Sequence, residues 1–148
     1  MKQELDELLC KKYPKMMVNR DKPMMETCMC WGFEVGDGLF PILDQLMGNI
    51  QHHIDWRNKK SEAVPQVTLD QVKEKFGTLR FYYTGGDDEI SGMVRMAESM
   101  SGVMCEECSA PAETHGPGWI RTICKPCEEQ REIDRAESIK KYENKISQ

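Results

Sequence analysis

Four cysteines dominate the chemistry this sequence can hold. Cys105-Glu-Glu-Cys108 and Cys124-Lys-Pro-Cys127 form a C-x2-C-x15-C-x2-C pattern. Two residues between cysteines let a tight knuckle aim both sulfurs at one point. The intervening fifteen residues are enough for a hairpin that returns the second pair. Four thiolates then complete a tetrahedral zinc site with Zn–S distances of ~2.3 Å. The pattern predicts one zinc ion per chain, held by Cys105, Cys108, Cys124 and Cys127. Catalytic zinc keeps a coordination place open, usually with three protein ligands. Four cysteines leave none, so the expected role is structural. Outside the thiols, segment 103–130 has only Val103, Met104, Trp119, Ile120 and Ile123 as sizeable apolar residues. These cannot offset about 1–2 kcal/mol of backbone entropy per ordered residue. Zinc binding in finger peptides contributes on the order of 10–16 kcal/mol, which closes the gap. A pair of redox CxxC sites needs a βαβ context that the pattern does not show, and ferredoxin cluster spacings differ.

The remaining candidates are weaker signals. His52 and His53 are neighbours on an expected helix, pointing about 100° apart, so they do not share one metal and are expected at or near the helix surface. Cys10, Cys28 and Cys30 lack a second CxxC-like pair and are expected as buried thiols. Lys73, Lys75, Arg80, Arg121 and Lys125 are the candidate contacts to a nucleic acid or another partner, although several have acidic neighbours such as Glu74. Phe81, Tyr82 and Tyr83 are expected to pack in a sheet rather than stack on bases. There is no Gly-rich phosphate loop, no nucleophile elbow and no zinc-protease motif.

The elements that must position these residues follow from periodicity. Residues 2–13 read as a short amphipathic helix around Leu5, Leu8 and Leu9, ended by Pro14. Residues 15–38 have no clean period and read as an irregular, partly buried segment. A helix is expected over 39–58, with Phe40, Leu43, Leu46, Met47, Ile50 and Ile54 in one stripe. Asp37 and Pro41 suit its start. A polar linker ends at Pro65. Residues 66–84 alternate with period two and predict a hairpin turning at Gly77-Thr78. Val72, Glu74 and Phe76 share one face of it. Asp87 or Asp88 caps a helix over 88–101, whose stripe of Ile90, Met93, Val94, Ala97 and Met100 is expected in the core. Trp119–Ile123 reads as a strand into the second knuckle. After Cys127 the composition is strongly helical, with Ile133, Ala136, Ile139, Tyr142 and Ile146 as a narrow seam through which a homodimer can pair.

These elements predict an α+β fold. A short antiparallel sheet is covered by helices in residues 1–104, followed by a four-cysteine zinc finger with a terminal helix in residues 105–148. Knuckle, hairpin, then a knuckle at a helix start resembles the treble-clef class of zinc finger, with a zinc ribbon as the close alternative. The 148 residues set the scale of one domain with a small appendage. The formal charge of −5 argues against nucleic-acid binding by bulk electrostatics. The absence of an apolar run of about 20 residues or a signal-peptide pattern predicts a soluble, cytoplasmic protein with no membrane contact.

Gly36-Asp37-Gly38, then Gln71-Val72-Lys73-Glu74-Lys75-Phe76-Gly77 with Leu79-Arg80-Phe81-Tyr82, then Ser91-Gly92-Met93 and Gly118-Trp119-Ile120 beside the cysteine pairs form a distinctive set. Over most of residues 27–127 the chain resembles a type of small protein often encoded in bacteriophages and prophages. That type is generally uncharacterised, so the resemblance implies a setting and a zinc site rather than an activity. A second likeness is to the RNA-polymerase secondary-channel factors, which place two CxxC pairs before a terminal helix. Their long N-terminal coiled coil has no counterpart here. The expected function is that of a non-enzymatic accessory protein binding a host protein in the host cytoplasm, to blunt a defence or redirect transcription. The alternative is a nucleic-acid-binding zinc module.

Overall fold

A computed structural model describes residues 1–146; Ser147 and Gln148, the end of the expected finger segment, lie outside the described residues. The elements are α1 (Gln3–Lys12), β1 (Phe33–Glu34), α2 (Phe40–Lys59), β2 (Thr68–Lys75), β3 (Thr78–Thr84), α3 (Asp88–Ser101), β4 (Glu113–His115), β5 (Arg121–Ile123) and α4 (Lys125–Ile146). The mixed α+β architecture and the C-terminal cysteine cluster are those the sequence pattern predicts.

The main sheet has the order β1-β2-β3; α3 packs along β3, where Ser101 and Glu98 accept from the Leu79 and Phe81 N–H groups, and α2 packs against α3. Leu69, Val72, Leu79 and Phe81 fill the space beneath the helices, together with Leu43, Met47, Ile50, Ile54 and Ile90. The sheet is not purely antiparallel. The short β1 joins β2 in parallel, Phe33 opposite Val72, through the crossover helix α2. Parallel neighbours need such a crossover. A βαβ unit is therefore present after all, but the cysteine pairs lie outside it, so it lends nothing to a redox reading. Two-residue β1 is too short to leave a period-two signal.

The β2–β3 hairpin differs from its expected form in two places. A bulge between Leu69 and Gln71 inserts Asp70, so Leu69 and Val72, three apart in sequence, both face the core. The turn is Phe76-Gly77, not Gly77-Thr78, because Lys75 pairs with Thr78. Both turn residues have positive φ, 55° for Phe76 and 79° for Gly77, as a type I′ turn requires. Phe76 thus leaves the core face and is 66% exposed. Beyond the turn, Phe81 and Tyr83 face inward with ring centroids 5.9 Å apart, while Tyr82 faces out.

Helix α3 begins where expected: the Asp87 carboxylate accepts from the Ile90 N–H at 3.0 Å. Its methionine stripe is only partly core. Ile90, Val94 and Ala97 are buried, whereas Met96 and Met100 remain exposed beside α2. Helix α4 starts two residues earlier than expected and has no buried residue. Its apolar seam is not one stripe: Ile133 and Tyr142, nine residues apart, lie half a turn out of phase on an α-helix. The irregular segment is held by a buried carboxylate. Asp6 accepts from the Phe33 N–H at 2.8 Å and from Arg20 at 2.9 Å, and Arg20 donates on to the Met29 and Cys30 carbonyls.

Candidate metal centre

The C-terminal unit is built as knuckle, hairpin and helix. Cys105 and Cys108 sit in a turn closed by Ser109, whose N–H donates to the Cys105 carbonyl at 3.0 Å and whose φ is 68°. Strands β4 and β5 form the hairpin. Cys124 directly precedes α4 and its carbonyl accepts the Glu128 N–H at 3.0 Å, which makes it the cap of that helix. Pro126 occupies the first turn, where its missing donor costs nothing, and Cys127 lies in the same turn. The second pair therefore stands at a helix N-terminus, the treble-clef arrangement rather than the ribbon. The positive end of the helix favours thiolates there.

The four sulfurs lie within 4.8 Å of one another, with Cys108 Sγ and Cys124 Sγ 3.6 Å apart. Tetrahedral ligands at ~2.3 Å from a common metal are separated by about 3.8 Å, so the cluster is sized for one metal ion. Burial opposes ionisation of Cys105, but N–H groups of Cys124, Glu107 and Cys108 outweigh it and bring its thiol down to about 7. Cys127 is pushed up by sharing its proton with the sulfurs of Cys108 and Cys124. Neighbouring thiols cannot all ionise without a cation among them, which is what a metal supplies.

The cysteine unit docks on the sheet domain through glycines. Gly38 N–H donates to the Glu106 carbonyl at 2.8 Å, and Ser109 Oγ donates to the Gly38 carbonyl at 2.7 Å. A Cβ at Gly36 would fall on the Glu106 carbonyl oxygen. At Gly38 it would fall on that of Cys105 and lie 2.7 Å from the amide nitrogens of Cys108 and Ser109. Thr122, fully buried, donates to the Gly77 carbonyl at 2.5 Å. The Gly36-Asp37-Gly38 and Phe76-Gly77 sequences are thus the seam between the two parts. Asp37 also accepts from the Lys2 N–H at 2.7 Å, tying in the N-terminus.

The other candidate residues separate. Cys10 bonds to Asp6 and its thiol is pushed up, first by burial and then by that carboxylate. Cys30 donates to the Thr27 carbonyl at 3.3 Å and Cys28 is exposed rather than buried. His52 is exposed, and His53 is buried between Asp87 at 2.8 Å and Glu89 at 3.0 Å. His115 stands outside the sulfur cluster, near Glu128. Lys73, Lys75 and Arg80 share the outer face of the β2–β3 hairpin, where Lys73 pairs with Arg80 across the strands. Arg121 is committed to the buried Glu106 at 2.8 Å. Burial raises that carboxyl against the pull of Arg121. Lys125 is solvated at the start of α4.

Trp119 escapes the sequence reasoning. Expected in a strand and in the small core of the finger, it lies instead before β5 and is 72% exposed. Its signal was Gly116-Pro117-Gly118: glycines with φ of 131° and 89° bend the chain outward just before it.

No family model matches the chain, and no curated protein or solved structure matches it. Among the described residues no helix is long and apolar enough to cross a membrane.

Proposed function

We propose that the centre holds one structural zinc ion and that the protein is a non-enzymatic accessory protein of the phage type it resembles, binding and modulating a host protein in the host cytoplasm. Zinc suits four thiolates at this spacing, and four such ligands fill its tetrahedron. The metal stabilises a unit whose only large buried aliphatic side chain, among the described residues, is Ile123.

The observation that carries the reading is the pair of exposed aromatics at the seam. Phe76 and Trp119 line one cleft with Ile120. Large exposed aromatic side chains held on rigid turns are typical anchors of protein interfaces. The target process, defence or transcription, follows from the phage resemblance alone.

The alternative, a nucleic-acid module, draws on the convergence of Lys73, Lys75 and Arg80. It loses Arg121 to Glu106. A pull-down from host lysate, with and without nuclease, separates the two. The protein-binding reading predicts a partner that survives nuclease. Loss of every partner on nuclease treatment would contradict it.

A further inference from the structure

The four sulfurs of the cysteine cluster differ in what can reach them. Cys105 is fully buried, and its sulfur accepts the N–H groups of Cys124, Glu107 and Cys108. Cys124 and Cys127 are half-buried at the start of α4. Cys108 is exposed, with the Ala110 N–H directed at its sulfur. Burial keeps a small electrophile out, and hydrogen bonds that stabilise a thiolate also lower its nucleophilicity. Cys108 is therefore the sulfur that an oxidant in solution meets first. A metal-bound cysteine is already in the thiolate form, the one that reacts.

Cys108 also has a second sulfur within reach. Cys124 Sγ lies 3.6 Å away and belongs to the opposite knuckle. An accessible thiolate beside a resolving thiol is the arrangement that carries a cysteine to a disulfide instead of to irreversible sulfinic acid. The three remaining thiols lack it. Cys10 stands next to the Asp6 carboxylate, which opposes a thiolate there. Cys28 is as open as Cys108, but the nearest thiol in sequence, Cys30, is held by the Thr27 carbonyl.

Resting on the zinc reading above, we infer that Cys108 is a peroxide-reactive thiolate and that its disulfide with Cys124 releases the metal. The co-reactant is hydrogen peroxide. The Cys108 sulfur attacks one peroxide oxygen. The O–O bond breaks, an S–O bond forms and hydroxide leaves, so that Cys108 becomes a sulfenic acid while the peroxide gains two electrons. The Cys124 sulfur then attacks the Cys108 sulfur. The S–O bond breaks, an S–S bond forms and a second hydroxide leaves. Both hydroxides take protons from solvent and end as water. Cys105 and Cys127 remain as thiolates, half of the set that fills a tetrahedral site, and the ion is lost. Reduction of the disulfide by a dithiol returns all four ligands. Metal occupancy of the finger is thereby tied to the redox state of one pair of sulfurs.

The test is titration of the full-length, zinc-loaded chain with hydrogen peroxide in the absence of reductant. Zinc release is read with a chromogenic chelator, and disulfides are mapped by peptide mass spectrometry at each point. Release of about one zinc per peroxide consumed is expected, in step with a Cys108–Cys124 disulfide. Dimedone added with the peroxide should trap its adduct at Cys108 first. Dithiothreitol followed by zinc should restore full occupancy. Cys28→Ser removes the other exposed thiol and should release zinc at an unchanged rate. A first disulfide between any other pair, a first dimedone adduct elsewhere, sulfinic acid without a disulfide, or slower release in Cys28→Ser overturns the inference. Zinc that stays bound while peroxide is consumed does so too, and leaves the zinc reading intact. A purified chain that holds no zinc before peroxide is added removes that reading and the inference with it.

Discussion

Replacing Gly38 by alanine is the sharpest probe of how the cysteine unit joins the sheet domain. The methyl carbon would lie 2.7 Å from both the Cys108 and Ser109 amide nitrogens, besides striking the Cys105 carbonyl. All three are backbone atoms of the knuckle, so no side chain can swing aside. Forcing a methyl into a filled space costs about 1–3 kcal/mol. The displaced knuckle also loses the Gly38 N–H to Glu106 and Ser109 to Gly38 hydrogen bonds. Each contributes about 0.5–1.5 kcal/mol net. The total is about 2–6 kcal/mol, a large part of the ~5–15 kcal/mol that holds a domain folded. Gly92→Ala is the matched control. Gly92 lies inside α3 with nothing near the added methyl, so that change should stabilise by about 0.5–1 kcal/mol. Urea denaturation with zinc present, followed by tryptophan fluorescence, measures both. Metal analysis should still find full occupancy in Gly38→Ala, because no ligand has changed. A Gly38→Ala stability within about 0.5 kcal/mol of wild type would refute the docking argument, since even the lower bound lies well above that.

Cys124→Ser should lose zinc and disorder the cysteine unit while the β2–β3 hairpin and its helices stay folded, whereas Cys10→Ser, Cys28→Ser and Cys30→Ser should keep full zinc by metal analysis. Phe76→Asn should stabilise the chain by about 0.5–1 kcal/mol, read from its urea midpoint, because it removes the strain of a bulky residue at positive φ and exposes little new apolar surface. Burial works against the Asp87 carboxylate, but the bonds from His53 and the Ile90 N–H prevail and hold it below its ordinary value. Its contribution is therefore complete above about pH 5 and is lost as pH falls through the unfolded value, ~3.9, towards the lower folded one. Asp87→Asn should lower stability at neutral pH, and the gap to wild type in urea titrations should close under acid. Light scattering on the full chain and on a truncation after Glu132 tests homodimer pairing through α4: a dimeric full chain and a monomeric truncation would support it, and equal mass after correction for chain length would remove it.

Elements whose side chains follow one period were open to sequence reasoning. The stripe of α2 and the Asp87 cap of α3 each state one local preference, and the structure obeys it. The cysteine spacing was more informative still, because a tetrahedral cluster has few solutions for two knuckles. What stayed hidden depends on contacts far apart in sequence. Asp70 resets the alternation of β2 through a bulge that only the pairing with β3 defines. Asp6 reads as a helix-surface carboxylate until the backbone of Phe33, 27 residues away, comes to it. Aromatic residues favour strands, so the sequence places Phe76 in one, and the register of the hairpin puts it in the turn instead. Gly36 and Gly38 looked like turn residues, yet what they allow is the close approach of the Cys105–Ser109 knuckle.

X-ray absorption spectroscopy at the zinc edge on the purified full-length chain, with metal content measured on the same sample, tests the central claim most directly. The account predicts one zinc per chain and a single shell of four sulfurs at ~2.3 Å. A shell containing nitrogen or oxygen at the shorter ~2.0–2.1 Å distance, or less than one zinc shared among several chains, would contradict it.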